Sequence, residues 1–469
     1  MAVSQCVGHS SRMLERFFCL KIPISRFPSR SVSMRISSLF LIFIFASLFL
    51  IQNAYADTVR LKDGRVLEGQ VLEKEDHIIL KLKFGALQIP RKDILSIIKE
   101  KKAIDPKTKP PEKIKKASPP LPLPERKRMN TLRKLAGEQG FLLENSHFLI
   151  AGSGKKLMAK KLELVIRKTY ERFFQEFQDG PVPIQKPKAK LEIIFFSSEK
   201  QFRNFTLEEH PNMLRNDGFF SRSDNRSYFY NVLNSKSSQK AKALRQPLHK
   251  DLESFQQRLL IANPVQSISL RKRIRSLKSQ IRRVTQKQNH VLEQICLTTA
   301  VHEVTHQLCY NTQLIPVNKG FPTWLLEGLA LIFEEIPQRS KARELKKALG
   351  TFNPLRIQLL KVAKQEKKSL PKVNALISHS GSLLDLGGSQ CYATNWVLMH
   401  HLLGRNKKGA KTKLLHFLKA MNELCKEREK QDRSIRKKER AQLFYRSFQT
   451  DPDKFSKEFQ ETLKTVLGK

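Results

Sequence analysis

The sequence predicts an α+β fold: a mixed domain interrupted by an inserted helical hairpin and preceded by a small all-β barrel. Three patterns carry that expectation. Short alternating apolar runs, separated by Asp-Gly and Gly turns, fill residues 57–100. From 129 to 425, strand-like and helix-like runs alternate. Inside that span, between 235 and 290, apolar residues recur four and three apart, the period of a two-helix seam. A chain of 469 residues with 40% hydrophobic content suits two or three soluble domains and not a multi-span membrane protein.

The N-terminus reads as a signal peptide. Leu39 to Ile51 (LFLIFIFASLFLI) is a 13-residue apolar run, too short for a typical spanning helix. Arg35 precedes it and Ala54-Tyr55-Ala56 follows, so cleavage is expected before Asp57. Met34 is a plausible start codon position, which would leave residues 1–33 untranslated. An uncleaved anchor is the alternative, and the absence of a cysteine just after the cleavage site argues against a lipoprotein.

Residues 57–100 read as four to five antiparallel strands broken at Asp63-Gly64, Glu75-Asp76 and Gly85. This stretch resembles the SH3-like or Sm-like barrels at the front of exported bacterial proteins and carries no catalytic constellation. Residues 101–128 are rich in Lys and Pro, including Pro119-Pro120-Leu121-Pro122-Leu123-Pro124, and read as an extended linker.

The second domain is expected from Met129. His147–Ile150 reads as its first strand, followed by a helix over 155–177 with Leu162, Val165, Ile166, Tyr170, Phe173 and Phe177 on one face. Leu191–Phe196 is β-branched and aromatic enough for a buried strand. A short helix through Phe202 and Phe205 leads to a hairpin formed by Gly218–Phe220 and Tyr228–Tyr230.

Residues 235–290 form the predicted insert. One helix runs from Gln246 to Ala262, with Pro247 tolerated in its first turn, and Asn263-Pro264 breaks it. The second carries Leu270, Ile274, Leu277, Ile281 and Val284 and is expected to run on without interruption. Its outer face holds Arg271, Lys272, Arg273, Arg275, Lys278, Arg282, Arg283 and Lys287, either a solvated face or an arm that docks on an acidic partner. The tail, 426–469, reads as a charged helix or linker ending in one amphipathic helix that caps the domain.

The chemistry concentrates at His302-Glu303-Val304-Thr305-His306. Histidines four apart on a helix share a face and can converge on one metal, with Glu303 in reach of a metal-bound water as general base. Leu297, Val301, Val304 and Leu308 support a helix there. Downstream, Trp324-Leu325-Leu326-Glu327-Gly328-Leu329-Ala330 places Glu327 on a second helix, where its carboxylate completes a three-ligand site with one open position. Two imidazoles and a carboxylate suit zinc better than calcium or magnesium.

His-Glu-x-x-His followed by Trp-Leu-x-Glu-Gly-x-Ala resembles the gluzincin zinc metallopeptidases, and more narrowly the peptidase-MA-like domains of exported bacterial proteins. The resemblance covers about 145–425 without the insert. It implies a zincin-like fold, zinc held by His302, His306 and Glu327, and Glu303 as the general base. It further implies a Tyr or His that stabilises the oxyanion, for which Tyr392 is the candidate, with His400 and His401 behind it. The hairpin 218–230 is then the edge along which a peptide lies extended. One departure stands out: the acidic residue expected four after the ligand glutamate is Leu331, with Glu334 and Glu335 about a turn out of register.

The expected function is therefore exported zinc-dependent peptide-bond hydrolysis on a protein or peptide substrate, in the periplasm or envelope. Two alternatives stand beside it: a catalytically idle protein adhering to anionic envelope polymers, and a zinc hydrolase of non-peptide amides. The formal charge of +44 suits an anionic envelope polymer or membrane surface, and export makes nucleic acid a poor candidate partner. Removing residues 1–56 takes six Lys/Arg and one acidic residue and leaves +39. Cys296, Cys309, Cys391 and Cys425 remain; the first two sit about 20 Å apart on one helix, and pairing with the others is left open.

Overall fold

A computed structural model describes residues 57–61, 66–73, 76–82, 85–98, 125–136, 140–153, 156–316, 320–338, 349–350, 352–403 and 409–468. The apolar run at 39–51 and linker residues 101–124 lie outside these. The chain divides into two units, one spanning 23–116 and the other containing 117–469.

In the first unit, β1 (Asp57–Leu61), β2 (Val66–Glu73), β3 (His77–Leu82), β4 (Gly85–Pro90) and β5 (Ile94–Ile98) form one sheet in the order β4-β3-β2-β1-β5. Every pairing is antiparallel, and a register shift at Arg60/Leu61 bends β1 where it meets β5. Val59, Val71, Ile78, Leu80 and Ile89 make its small core. Four of the five strands fall between the predicted turns; β5 follows a short turn at Arg91–Asp93 that those turns do not mark.

The second unit is mixed α and β. It begins earlier than Met129: α1 spans Glu125–Ala136, so the last four residues of the predicted linker are helical. Arg128 anchors it by pairing with Glu192, which also accepts from Arg226 Nε at 2.5 Å. Pro124 marks the end of the proline run, and a run of good helix formers follows it. A strand absent from the sequence reading, β6 (Phe141–Glu144), pairs antiparallel with β7 (Phe148–Gly152). Its side chains are only half buried, so it lacks the dense apolar signal of its neighbours.

The sheet runs β6-β7-β8-β10-β9, with β8 at Leu191–Phe196, β9 at Gly218–Ser221 and β10 at Arg226–Tyr230. β7, β8 and β10 are parallel, and β9 folds back antiparallel on β10 as the outer strand. Both faces are covered, so β7, β8 and β9 are buried at every position. α2 (Lys156–Phe177) and α3 (Glu199–Glu209) connect these strands.

After a short α4 (Lys236–Ala243), α5 (Gln246–Leu260) turns at Ile261–Asn263 into α6 (Pro264–Asn311), a single 48-residue helix. The predicted hairpin is present and its second arm does continue into the motif. Asn263 caps α6 by accepting from Gln266 N, and Pro264 takes the first turn, where its missing N–H costs nothing. From Leu292 onward α6 is almost wholly buried, so one helix is arm at one end and core at the other.

α7 (Thr323–Phe333), α8 (Pro354–Gln365), α9 (Val373–Ser378), α10 (Ser389–Leu403) and α11 (Ala410–Lys430) complete the core. The tail forms two helices, α12 (Lys437–Phe448) and α13 (Pro452–Val466), where the sequence reading expected one. Asp451 divides them by capping α13 through Asp453 N and Lys454 N. Phe444, Phe455, Phe459 and Leu463 are buried in the same core as the motif, and Phe444 meets Trp324 edge-on at 5.5 Å. The four described cysteines are buried and none is in a disulfide; burial pushes Cys296, Cys391 and Cys425 up to about 12.

Candidate metal centre

Three side chains from two helices converge. His302 and His306 lie one turn apart on α6, and Glu327 reaches them from α7; all three are buried. His302 Nε2 lies 3.2 Å from Glu327 Oε2 and 3.1 Å from His306 Nε2, and His306 Nε2 lies 3.6 Å from Glu327 Oε2. Tetrahedral zinc with bonds of about 2.0–2.1 Å separates its ligand atoms by about 3.3 Å. The cluster therefore fits a small divalent ion without rearrangement.

α7 is held in place by its partners. Asn395 of α10 donates to Trp324 O at 2.9 Å, and Trp324 itself stacks on Phe417. Gly328, next to the ligand Glu327, lies so close to α10 that a Cβ would stand 2.7 Å from Met399 Cγ and Sδ. The glycine of the motif thus lets the Met399 side chain pack directly against the α7 backbone beside Glu327.

The orienting carboxylate is Glu334. Its Oε1 accepts from His302 Nδ1 at 2.9 Å. This corrects the expectation that Glu334 is out of register: position 334 is seven residues after Glu327, two helical turns, and shares its face as Leu331 does. Glu334 is in turn gripped by Arg356, Nε to Oε2 at 2.9 Å and Nη2 to Oε1 at 2.5 Å, and by Asn353 Nδ2 at 3.0 Å. Asn353 also caps α8 by accepting from Arg356 N.

The charges follow from these contacts. Burial opposes ionising Glu334, but Arg356 and His302 outweigh it and hold its carboxyl at about 2. Burial likewise opposes protonating His302, yet hydrogen bonds to Glu327 and Glu334 raise it to about 10. Glu327 is held well below the usual carboxylate range by the two imidazoles despite its burial. Two ionised carboxylates, Glu327 and Glu334, thus flank His302, with Arg356 balancing Glu334 from the far side.

Glu303 differs from the other acids. It is fully buried, neither carboxylate oxygen has a hydrogen-bond partner, and burial pushes its pKa up to about 8. A buried polar group left without a partner costs about 1–3 kcal/mol, so a functional reason is expected for it. The backbone of Phe220, on the outer strand β9, is the group that acts on it from the sheet side.

Gln307 ties that strand pair to the site helix. Its Nε2 donates to Asn225 O at 2.7 Å and to Glu192 O at 3.2 Å, and its Oε1 accepts from Ser227 Oγ at 3.0 Å. Asn225 turns the hairpin at a positive φ of 57° and exchanges side-chain hydrogen bonds with Asn311. Gly218 permits the approach, since a Cβ there would lie 2.7 Å from Thr299 Cγ2.

A small, partly open cleft adjoins His306, with Phe220, Arg222, Tyr310, Phe321 and Leu326 among its walls. Tyr310 stands one turn beyond His306, and Arg222 is two residues along from Phe220. Burial lowers the Arg222 guanidinium and Tyr310 partly offsets this. Tyr392 packs its ring against Arg356 at 5.8 Å, and Arg356 in turn grips Glu334. His400 stacks on Trp396 and donates to Gly350 O, and His401 bonds Thr462 among Phe455 and Phe459; both serve helix packing.

Sequence reasoning named Glu334 but set it out of register, and gave Arg356, Asn353, Tyr310 and Arg222 no place at the site. The two-turn spacing from Glu327 was the available signal for Glu334; Arg356 and Asn353 had none. A family model described as a protein of unknown function, DUF1570, matches residues 296–423, a segment containing His302, Glu303, His306, Glu327, Glu334, Arg356 and Tyr392. None of the curated proteins matches the chain.

Proposed function

We propose that this chain is an exported zinc-dependent metallopeptidase of the gluzincin type, its second unit a zincin-like catalytic domain. The observation that carries the proposal is an unpartnered buried carboxylate, Glu303, beside a three-ligand cluster whose His302 is backed by Glu334. A site kept for stability alone has no need of such a carboxylate, which weighs against an idle binding protein.

His302, His306 and Glu327 would hold the ion, and two nitrogen ligands with one oxygen ligand favour zinc. When bound, zinc supplies Lewis acidity, lowering the pKa of water towards 7 and polarising a carbonyl. The protein's own part is positioning and proton handling. Glu334, fixed by Arg356, keeps the proton of His302 on Nδ1 and leaves Nε2 free as a ligand. Glu303 takes the proton of the attacking water on a carboxylate oxygen and returns it to the leaving amine. β9 is the outer strand beside Glu303 and offers an extended peptide a sheet edge. Tyr310, in the cleft beyond His306, is better placed to donate to a developing oxyanion than Tyr392, which lies beneath Arg356.

Export rests on the apolar run and Ala-x-Ala pattern before Asp57. No helix among the described residues is long and apolar enough to cross a membrane. Metal analysis combined with peptidomic digestion by wild type and Glu303→Gln tests the reading. Stoichiometric zinc with cleavage products lost in the variant is expected. Identical digests would overturn peptide hydrolysis and leave binding or a non-peptide amide as the function.

A further inference from the structure

The far end of the hairpin breaks the pattern that holds along its length. Between the helices, Leu270, Ile274 and Leu277 of α6 are buried against α5. Nearer the turn, Leu260, Ile261, Val265 and Ile268 are 86, 89, 80 and 71% exposed. Nine large hydrophobic residues are exposed among the described residues, and four of them fall within these nine positions. Scattered exposed aliphatics are ordinary, but a cluster at the apex of an arm is a contact surface.

A collar of cations follows. Arg258 on α5 and Arg271, Lys272, Arg273, Arg275 and Lys278 on α6 are all exposed. Farther down, Arg282, Arg283 and Lys287 are exposed as well. From 246 to 290 the hairpin carries ten Lys/Arg against Asp251 and Glu253. None of the α6 cations in this stretch pairs with a described carboxylate, although Arg273 also lies over Phe255 at 5.2 Å. Seven residues of helix separate Val265 from Lys272, about 10 Å along the axis. Interfacial helices bury their apolar side to about 5–10 Å below the headgroups, so this spacing sets aliphatics among acyl chains and cations at the phosphates.

We infer that the hairpin apex is a docking element for an anionic lipid bilayer, inserting Leu260, Ile261, Val265 and Ile268 while the collar binds lipid phosphates. A soluble acidic polymer would engage the collar but has no use for four exposed aliphatics. A second copy of this chain would bring like-charged collars together. The bilayer accounts for both features, and the inference is independent of the metal centre.

The test uses the full chain with Ile261→Trp. Trp324 and Trp396 are fully buried, so the new indole alone reports on the apex. Vesicles of phosphatidylcholine with phosphatidylglycerol should shift its emission to the blue and allow quenching by brominated acyl chains. Phosphatidylcholine vesicles should do so weakly, and heparin should bind without a shift. Changing Arg271, Lys272 and Arg275 to Gln should raise the anionic lipid concentration needed by about a hundredfold, three cations contributing about 1 kcal/mol each. A chain that sediments with anionic vesicles without a shift, an equal shift with heparin, or no response to anionic vesicles would each overturn the inference.

Discussion

Glu334 Oε1 accepts from His302 Nδ1 at 2.9 Å while Arg356 grips the same carboxylate, so a single acid links His302 to α8. The pair sets the tautomer of His302 and holds its ring at the angle the cluster requires. Glu334→Gln should therefore keep the fold and lower zinc affinity about 10–100-fold. Competition titration against a chromophoric chelator checks this, and unchanged affinity would remove Glu334 from the site.

Removal of the Arg356 guanidinium acts differently. Arg356→Met leaves Glu334 buried with one charge partner fewer, and the loss of a buried ion-pair partner costs about 3–5 kcal/mol. Chemical denaturation should show that loss in the metal-free protein. The double change Arg356→Met with Glu334→Leu should recover much of it, because no charge is then left unpaired.

Glu303→Gln should retain stoichiometric metal, since Glu303 is not among the three converging ligands. Turnover on any substrate found by digestion should fall by about 10²–10⁴, the contribution of a general base. Loss of metal together with activity would instead make Glu303 structural.

On the proposed metal site, chelation should lower the thermal midpoint, because His302 and His306 of α6 meet Glu327 of α7 only when the two helices are assembled. At a thousandfold excess over the dissociation constant, binding stabilises by about 4 kcal/mol. Differential scanning fluorimetry with and without zinc reads the shift, and His306→Ala should abolish it.

Gly328→Val tests the α7–α10 approach. The side chain would have to displace Met399, and overpacking of this kind costs about 1–3 kcal/mol. Lower stability accompanied by weaker zinc binding would tie the glycine to the placement of Glu327.

Several parts of this molecule are local enough to read in one dimension. His302 and His306 are a helical turn apart wherever that helix sits, and the 264–311 helix is announced by its seam and its Asn-Pro cap. The split between α12 and α13 was equally local, in Asp451-Pro452, and was overlooked. β6 was not legible, because a half-buried strand has neither a dense apolar run nor a clean alternation.

What the chain alone determined is whatever depends on helical period and residue chemistry: two imidazoles and Glu303 on one turn, Glu327 and its glycine on another, and a cationic hairpin between the strands and the motif. The tertiary structure decided which distant groups complete them. Arg356 and Asn353 lie 22 and 19 residues beyond Glu334, with no periodicity to connect them, and only the packing of α8 brings their side chains to one carboxylate. Burial was decided there too: an Asp or Glu is ordinarily a solvated group, and Glu303 became an unpartnered carboxyl raised to about 8 only when strand and helices closed over it.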